Sequence, residues 1–296
     1  MVWHRRNMHA QSAIEYLATY GWAILILAIA LGVLYFLGVF NSNAYTAKAS
    51  PYSCTVSRPY GPNSTAYMTL SGVCDNEVPE YVAKFNGYTS SINMGNGFGS
   101  RPAAISVTLW IYPSNVPPGE ELPFTDEWAQ QVSWGNSGCS GGGGCIGGTT
   151  NGGDWIYDPI GLPTGKWYFI ALTGSNSIGD ILYINGIEVA SNTLGTVTSG
   201  GSSIWMGSTG EANGGAGCCN YAYYGDISNV QIYNISLSAN DIHALYLEGI
   251  GGAPIDLPNL VGWWQLNGNS NDTSGNLNNG VSNNVIFTNT WYNTYS

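Results

Sequence analysis

The chain has 296 residues and a formal net charge of −11, and only 8% of its residues are charged, against about 25% in an ordinary soluble domain. That balance excludes nucleic acid as a partner, because phosphate binding needs a clustered basic face. The only Lys and Arg residues beyond the first ten positions, Lys48, Arg58, Lys84, Arg101 and Lys166, are scattered. Forty-one Gly, twenty Tyr and eleven Trp fill the place of charge, so the composition reads as a loop-rich β protein whose surface is wetted by amides and hydroxyls.

Between Tyr16 and Ala47 there is no Asp, Glu, Lys, Arg or His, and the densest apolar run is Leu17 to Phe40. As a helix this run would rise ~36 Å, enough to cross a bilayer. Arg5 and Arg6 stand before it and would hold the N-terminus on the cytoplasmic side. A cleaved secretory signal would carry an apolar region of only ~7–15 residues. A plain anchor fits the length but gives no reason for Glu15 at the start of the run, where a charge is costly. The stretch Arg5-Arg6-Asn7-Met8-His9-Ala10-Gln11-Ser12-Ala13-Ile14-Glu15-Tyr16 resembles the class III signal of archaeal type IV pilin-like proteins. The resemblance implies a prepilin peptidase cut between Ala10 and Gln11. Residues 1–10 would be the leader and residues 11–40 a transmembrane or filament-core helix. Glu15 would become the fifth mature residue and pair with the α-amino group of Gln11 on a neighbouring subunit. Ala10 stands where the family often has Gly. Gly21, Gly32 and Gly38 would let such helices approach closely.

Residues 41–51 are polar and read as a stalk, and a β domain is expected over 52–296. Ala104 to Tyr112 alternates and stops at Pro113, as a strand should. Lys166 to Leu172 reads as another strand. Asp180 to Ile184 and Ile187 to Ala190, joined by Asn185-Gly186, read as a hairpin with a type I′ turn. Ser203 to Gly207 and Gly225 to Tyr233 follow as strands. A helix is expected near Ala239–Leu247, with Ser238 as its cap, Asp241 three residues on and Gly249 at its end. Many short strands separated by Gly and Asn turns indicate a sandwich.

Five elements carry a second resemblance: Phe85-Asn86-Gly87, Val107 to Ile111, Gly165 to Tyr168, Leu182 to Gly186, and Ile232-Tyr233-Asn234 with Leu237-Ser238. Together they look like the LamG-type, concanavalin A-like jelly roll over about residues 80–248. Ser228 stands where many members carry an acid. The pair of strands with which such domains open is missing before residue 80. It is found instead at Leu260 to Leu266 and Asp272 to Val281, so 260–287 is expected to supply those strands in a permuted sandwich. The expected fold class is therefore mainly β: a long N-terminal hydrophobic helix followed by a jelly-roll sandwich with one short helix.

Six cysteines in an exported chain suggest disulfides but allow 15 connectivities. Spacing favours Cys54 with Cys74 and Cys139 with Cys145, and leaves a strained bond between Cys218 and Cys219. Zinc is not expected, since no C-x₂₋₄-C pair exists and His4, His9 and His243 are dispersed. A glycosidase would need two carboxylates flanking a sugar bond. Glu120-Glu121 and Asp126-Glu127 sit in what reads as a polar, Pro-bounded surface loop, so no enzyme is expected. Binding is favoured. The long loop from Gly135 to Trp155 and the rings of Trp128, Trp134, Trp155, Tyr221, Tyr223 and Tyr224 are the candidate contacts for a glycan or a surface protein. The fold leaves room for a structural calcium, with Asp272 among its oxygen ligands. Asn63, Asn234 and Asn271 head N-x-S/T sequons. The sequence thus reads as a cell-surface, pilin-like adhesion protein displaying a binding head, with a membrane-anchored, lectin-like protein that does not polymerise as the alternative.

Overall fold

The computed structural model describes residues 20–31, 79–95, 102–126, 129–135, 138–140, 143–193, 197–198, 203–208 and 221–291, with the backbone of two short strands, Thr55–Ser57 (β1) and Thr69–Ser71 (β2). The chain divides into two compact units, Met1–Ser50 and Pro51–Ser296. In the first unit residues 20–31 form helix α1, whose described positions are all exposed, Trp22, Ile24, Leu27 and Ile29 among them. No described helix is long and apolar enough to cross a membrane. Ala10, Gln11, Glu15, positions 32–40 of the expected helix and the stalk at 41–51 lie outside the described residues.

In the second unit β1 and β2 pair with each other, and two further sheets form a sandwich. One has eight strands, in the order β12-β11-β10-β5-β14-β3-β17 with β15 beside β14. These are Val82–Asn86 (β3), Ala104–Pro113 (β5), Tyr168–Ser175 (β10), Gly179–Ile184 (β11), Ile187–Ser191 (β12), Tyr224–Tyr233 (β14), Leu260–Trp264 (β15) and Ile286–Thr288 (β17). The other has seven, in the order β16-β4-β13-β6-β7-β8-β9. These are Ser91–Asn93 (β4), Glu120–Asp126 (β6), Gln130–Gly135 (β7), Cys145–Thr149 (β8), Ile156–Tyr157 (β9), Ile204–Met206 (β13) and Val281–Asn283 (β16).

Alternation explains the centre of the first sheet. Strands β5 and β10 pair without a register break from Ala104↔Ser175 to Ile111↔Tyr168. Ile105, Val107, Leu109 and Ile111 face the other sheet and join the core between the two. Trp110 faces the opposite way, into a second apolar cluster under a helix. That helix, Ala239–Glu248 (α2), packs Tyr246 on Trp110 with ring centroids 6.0 Å apart. Its start is the expected capping box of Ser238 and Asp241, and it stops at Gly249 with φ 85°. The β11–β12 turn has Asn185 at φ 51° and Gly186 at φ 76°, the two left-handed residues that a type I′ hairpin demands.

One flank of β14 is shared. Its first half pairs with β3 and its second half with β15, from Val230↔Trp264 to Tyr233↔Leu260. Asn229 lies between the halves at φ 49°, and its Oδ1 accepts from Trp263 Nε1 at 2.7 Å. Strand β17 pairs with β3, and β16 with β4. Residues after 260 therefore contribute strands to both sheets.

Two sequence expectations are corrected. Glu120–Asp126 is not a solvated loop but β6, with Glu121 and Leu122 to Asp126 all buried. The glycine-rich stretch after Gly135 is not one long loop either, because β8 runs through it between β7 and β9. Glycines at 147 and 148 suit that strand, since the faces above and below leave no room. A Cβ on Gly148 would lie 2.8 Å from Leu172 Cδ1.

Candidate functional site

Among the described residues, the outer face of the seven-stranded sheet carries a group of aromatic side chains able to meet a ligand. In β9 Ile156 faces the core, so Tyr157 faces outward. Its register partner is Gly147, whose partner in turn is Ser133. The Tyr157 ring packs closely against two glycines. A Cβ on Gly147 would stand 2.6 Å from Tyr157 Cε1, and one on Gly138 would stand 2.3 Å from Tyr157 Cγ. Only glycine leaves space for the ring at either place. Trp155 stacks beside it, with centroids 5.9 Å apart and planes 16° from parallel. The Tyr157 hydroxyl donates to Glu120 Oε1 at 3.4 Å. Burial and then the negative charge of Glu120 push the phenol up to about 12, so it keeps its proton.

The platform is tied down from behind. Cys139 and Cys145 are joined by a disulfide, with Cα atoms 5.8 Å apart. Ser140 donates its amide and its hydroxyl to Pro159 O, at 3.3 and 3.2 Å. Gly144 and Leu162 exchange both backbone bonds at 2.9 and 2.7 Å. The Asp158 carboxylate accepts from the amides of Ile160 and Gly161.

A polar row crosses the same face. Thr125, Gln131 and Thr149 stand in register, and Gln131 Nε2 donates to Thr125 Oγ1 at 3.3 Å. With Ser133 they are buried. Half-buried Trp205 is the register partner of Thr125 on the far side. Half-buried Trp155, Tyr157 and Trp205 leave ring surface at two margins that can take the C–H faces of a ligand, while the closed polar row between them braces the strands.

Of the expected binding rings, Trp155 belongs to this group. Trp134 and Tyr223 are corrected: both are core rings. Trp134 is buried with Nε1 donating to Asn115 O at 2.7 Å, and Tyr223 packs edge-on against Phe85 at 6.3 Å. Tyr224 is exposed but belongs to the other sheet, beside Gly87, and half-buried Tyr221 accepts from the Leu122 amide. Trp128 lies outside the described residues, as do Cys54, Cys74, Cys218, Cys219 and Asn63. Asn234 and Asn271 are exposed. Tyr157 and Trp205 were not among the expected residues, and Glu120 was weighed only as a carboxylate of a surface loop. The alternation of Trp155-Ile156-Tyr157 is a signal that could have found the first; Glu120 joins only through register.

The carboxylates of β6 do not form a facing pair. Adjacent strand residues point to opposite faces, so Glu120 meets Tyr157 while Glu121 turns inward and accepts from the Tyr224 amide at 3.0 Å. Burial raises Glu121 to about 7. Asp126 is at the other end of the strand, ~20 Å along it, and Glu127 is outside the described residues. Among the described residues no group of three His, Cys, Asp or Glu is placed to hold a metal ion. Asp272 does not fit the calcium expected there. Its carboxylate accepts from the backbone amides of Trp263, Ser274 and Asn278, and a pocket lined by N–H donors repels a cation.

The sequence model of the laminin G-type family, the concanavalin A-like lectin/glucanases superfamily, matches residues 86–243. The chain belongs to this superfamily. Two solved structures share the concanavalin A-like fold with it. A candidate carbohydrate-binding protein from Bacteroides ovatus aligns with a TM-score of 0.55 at 16% identity, over 71% of this chain and 60% of its own. The heptameric SAP-like pentraxin of Limulus polyphemus aligns with a TM-score of 0.51 at 19% identity, over 70% of this chain and 94% of its own. The chain thus spans about 60% of the length of the Bacteroides protein. No curated protein matches it in sequence. At these identities the likeness establishes the concanavalin A-like sandwich and nothing finer.

Proposed function

We propose that this chain is a non-enzymatic, surface-displayed protein whose concanavalin A-like head binds glycans on the outer face of its seven-stranded sheet. The stacked pair of Trp155 and Tyr157, backed by glycine and a disulfide loop beside a polar row, carries the reading. A flat, rigid ring pair offers the apolar face of a pyranose a surface that loses little entropy on contact. The likeness to a candidate carbohydrate-binding protein supports the ligand class. The separated carboxylates of β6 favour binding over hydrolysis.

The proposal includes the N-terminal segment. Residues 1–10 act as a leader removed by a prepilin peptidase, and residues 11–40 anchor the chain in the membrane and enter a filament of pilin-like subunits through Glu15. Residues 260–287 act as the opening strands of a permuted sandwich.

A glycan array probed with the head tests the ligand class, and Trp155→Ala tests the site. Loss of the stacking face is expected to weaken binding about tenfold. Unchanged binding in that variant would place the site elsewhere, and an array with no bound glycan would sink the reading. Intact mass of the cell-surface protein tests the N-terminus: a chain starting at Gln11 supports it and one retaining Met1 refutes it. Processed chains without filaments would leave the anchored, lectin-like form.

A further inference from the structure

The composition of the seven-stranded sheet says which glycans its outer face accepts. Strands β4, β6, β7, β8, β9, β13 and β16 contain no Lys, Arg or His, and their only charges are Glu120, Glu121 and Asp126. The sequence between Arg101 and Lys166, which builds the ring platform and its backing loop, has six carboxylates and no basic residue. After Lys166 the only basic side chain is His243. It lies on α2 near Tyr246, with ring centroids 6.4 Å apart, and α2 covers the other sheet. Lys84 is in β3, also in the other sheet.

Two carboxylates border the platform itself. Glu120 accepts from the Tyr157 hydroxyl at 3.4 Å, and Asp154, next to Trp155 in the chain, accepts from Asn151 Nδ2 at 2.8 Å. Asp158 follows Tyr157 but is occupied by two backbone amides. A carboxylate, sialate or sulfate on a sugar stacked at Trp155 would meet negative charge without a counter-charge from these strands. Partly screened like charges several ångströms apart cost enough to weaken binding about threefold at low salt. Neutral sugars pay no such penalty, and their vicinal hydroxyls can donate to the free lone pairs of Glu120.

We propose that the Trp155–Tyr157 platform is selective for uncharged glycans, with Glu120 as the residue that turns acidic ones away. The proposal rests on the glycan-binding reading above. It is tested with the full chain on an array of neutral oligosaccharides printed beside their sialylated, uronic-acid and sulfated counterparts, at low and high salt. The expected result is binding of neutral members, with acidic counterparts about threefold or more weaker at low salt and the gap closing at high salt. Glu120→Gln keeps an acceptor for the Tyr157 hydroxyl and is expected to raise the ratio of acidic to neutral binding. Acidic counterparts bound as tightly as their neutral parents would overturn the proposal while leaving glycan binding in place. A ratio that Glu120→Gln does not move would overturn the role of Glu120. Binding of nothing on the array would overturn both this proposal and the reading beneath it.

Discussion

Replacing Asp272 by alanine removes the acceptor of three backbone amides at once. Oδ1 accepts from Trp263 N at 3.0 Å and from Ser274 N at 2.9 Å, and Oδ2 from Asn278 N at 2.9 Å. The Trp263 amide is buried beside β14, and leaving it unpaired costs about 1–3 kcal/mol. The other two amides are partly buried and can recruit water, at about 0.5–1 kcal/mol each. The sum is about 3 kcal/mol, a large share of a domain stability of about 5–15 kcal/mol. For a domain of this size that lowers Tm by about 6–12 °C. Asp272→Asn keeps one carbonyl oxygen and turns an amide group toward one donor, so it should cost about half as much. Thermal and urea unfolding of the wild type and both variants, with and without chelator, measures this. The clamp requires that chelator leave the wild type unchanged. A Tm for Asp272→Ala within a degree or two of wild type, or a wild-type Tm that falls on chelation, would refute the reasoning.

Two further outcomes follow from the same sheets. Glu121 is raised by burial from its ordinary 4.5 to about 7, so the folded state holds a proton that the unfolded state releases. Its stability contribution is present below about 4.5 and lost as pH rises to about 7; urea unfolding at stepped pH should show wild type losing on the order of 2 kcal/mol relative to Glu121→Gln across that window, after discounting for solvent access, and parallel curves would contradict the assignment. Gly147→Ala should displace the Tyr157 ring, costing about 1–3 kcal/mol by overpacking and weakening glycan binding along with the change in tyrosine fluorescence or side-chain NMR shifts; an unmoved ring would contradict the close approach.

Much of the eight-stranded sheet was legible because its signals are local. The alternation of Ala104–Tyr112, the Asn185-Gly186 turn and the Ser238–Asp241 cap each specify structure within a few residues. The seven-stranded sheet was harder to read. Strand β6 carries Glu-Glu and Pro, and β8 carries Gly-Gly, compositions that suggest loops. They are strands because a polar outer face and a missing side chain are what their neighbours require, and those neighbours are distant in the chain. The candidate site suffers most from this. Trp155 could be singled out as an aromatic in a glycine-rich stretch, but Trp134 looks the same in sequence and points inward. Glu120 reaches Tyr157 only because β9, β8, β7 and β6 lie side by side.

Strand β3, the first of the sandwich, is flanked by β14 and β17, and the latter comes last. Ser90 Oγ donates to Asn284 O and Trp291 Nε1 to Glu80 O, bonds spanning 194 and 211 residues of sequence. Growth of the chain therefore cannot complete the head piece by piece. Until residues near 290 are in place, β3 and β4 each present an open edge that can pair with a neighbouring chain. Few charged side chains are available to discourage that pairing, so a chain lacking these last strands would be prone to self-association. Closure of the two sheets is thus a late, long-range event, slower than the formation of any single hairpin.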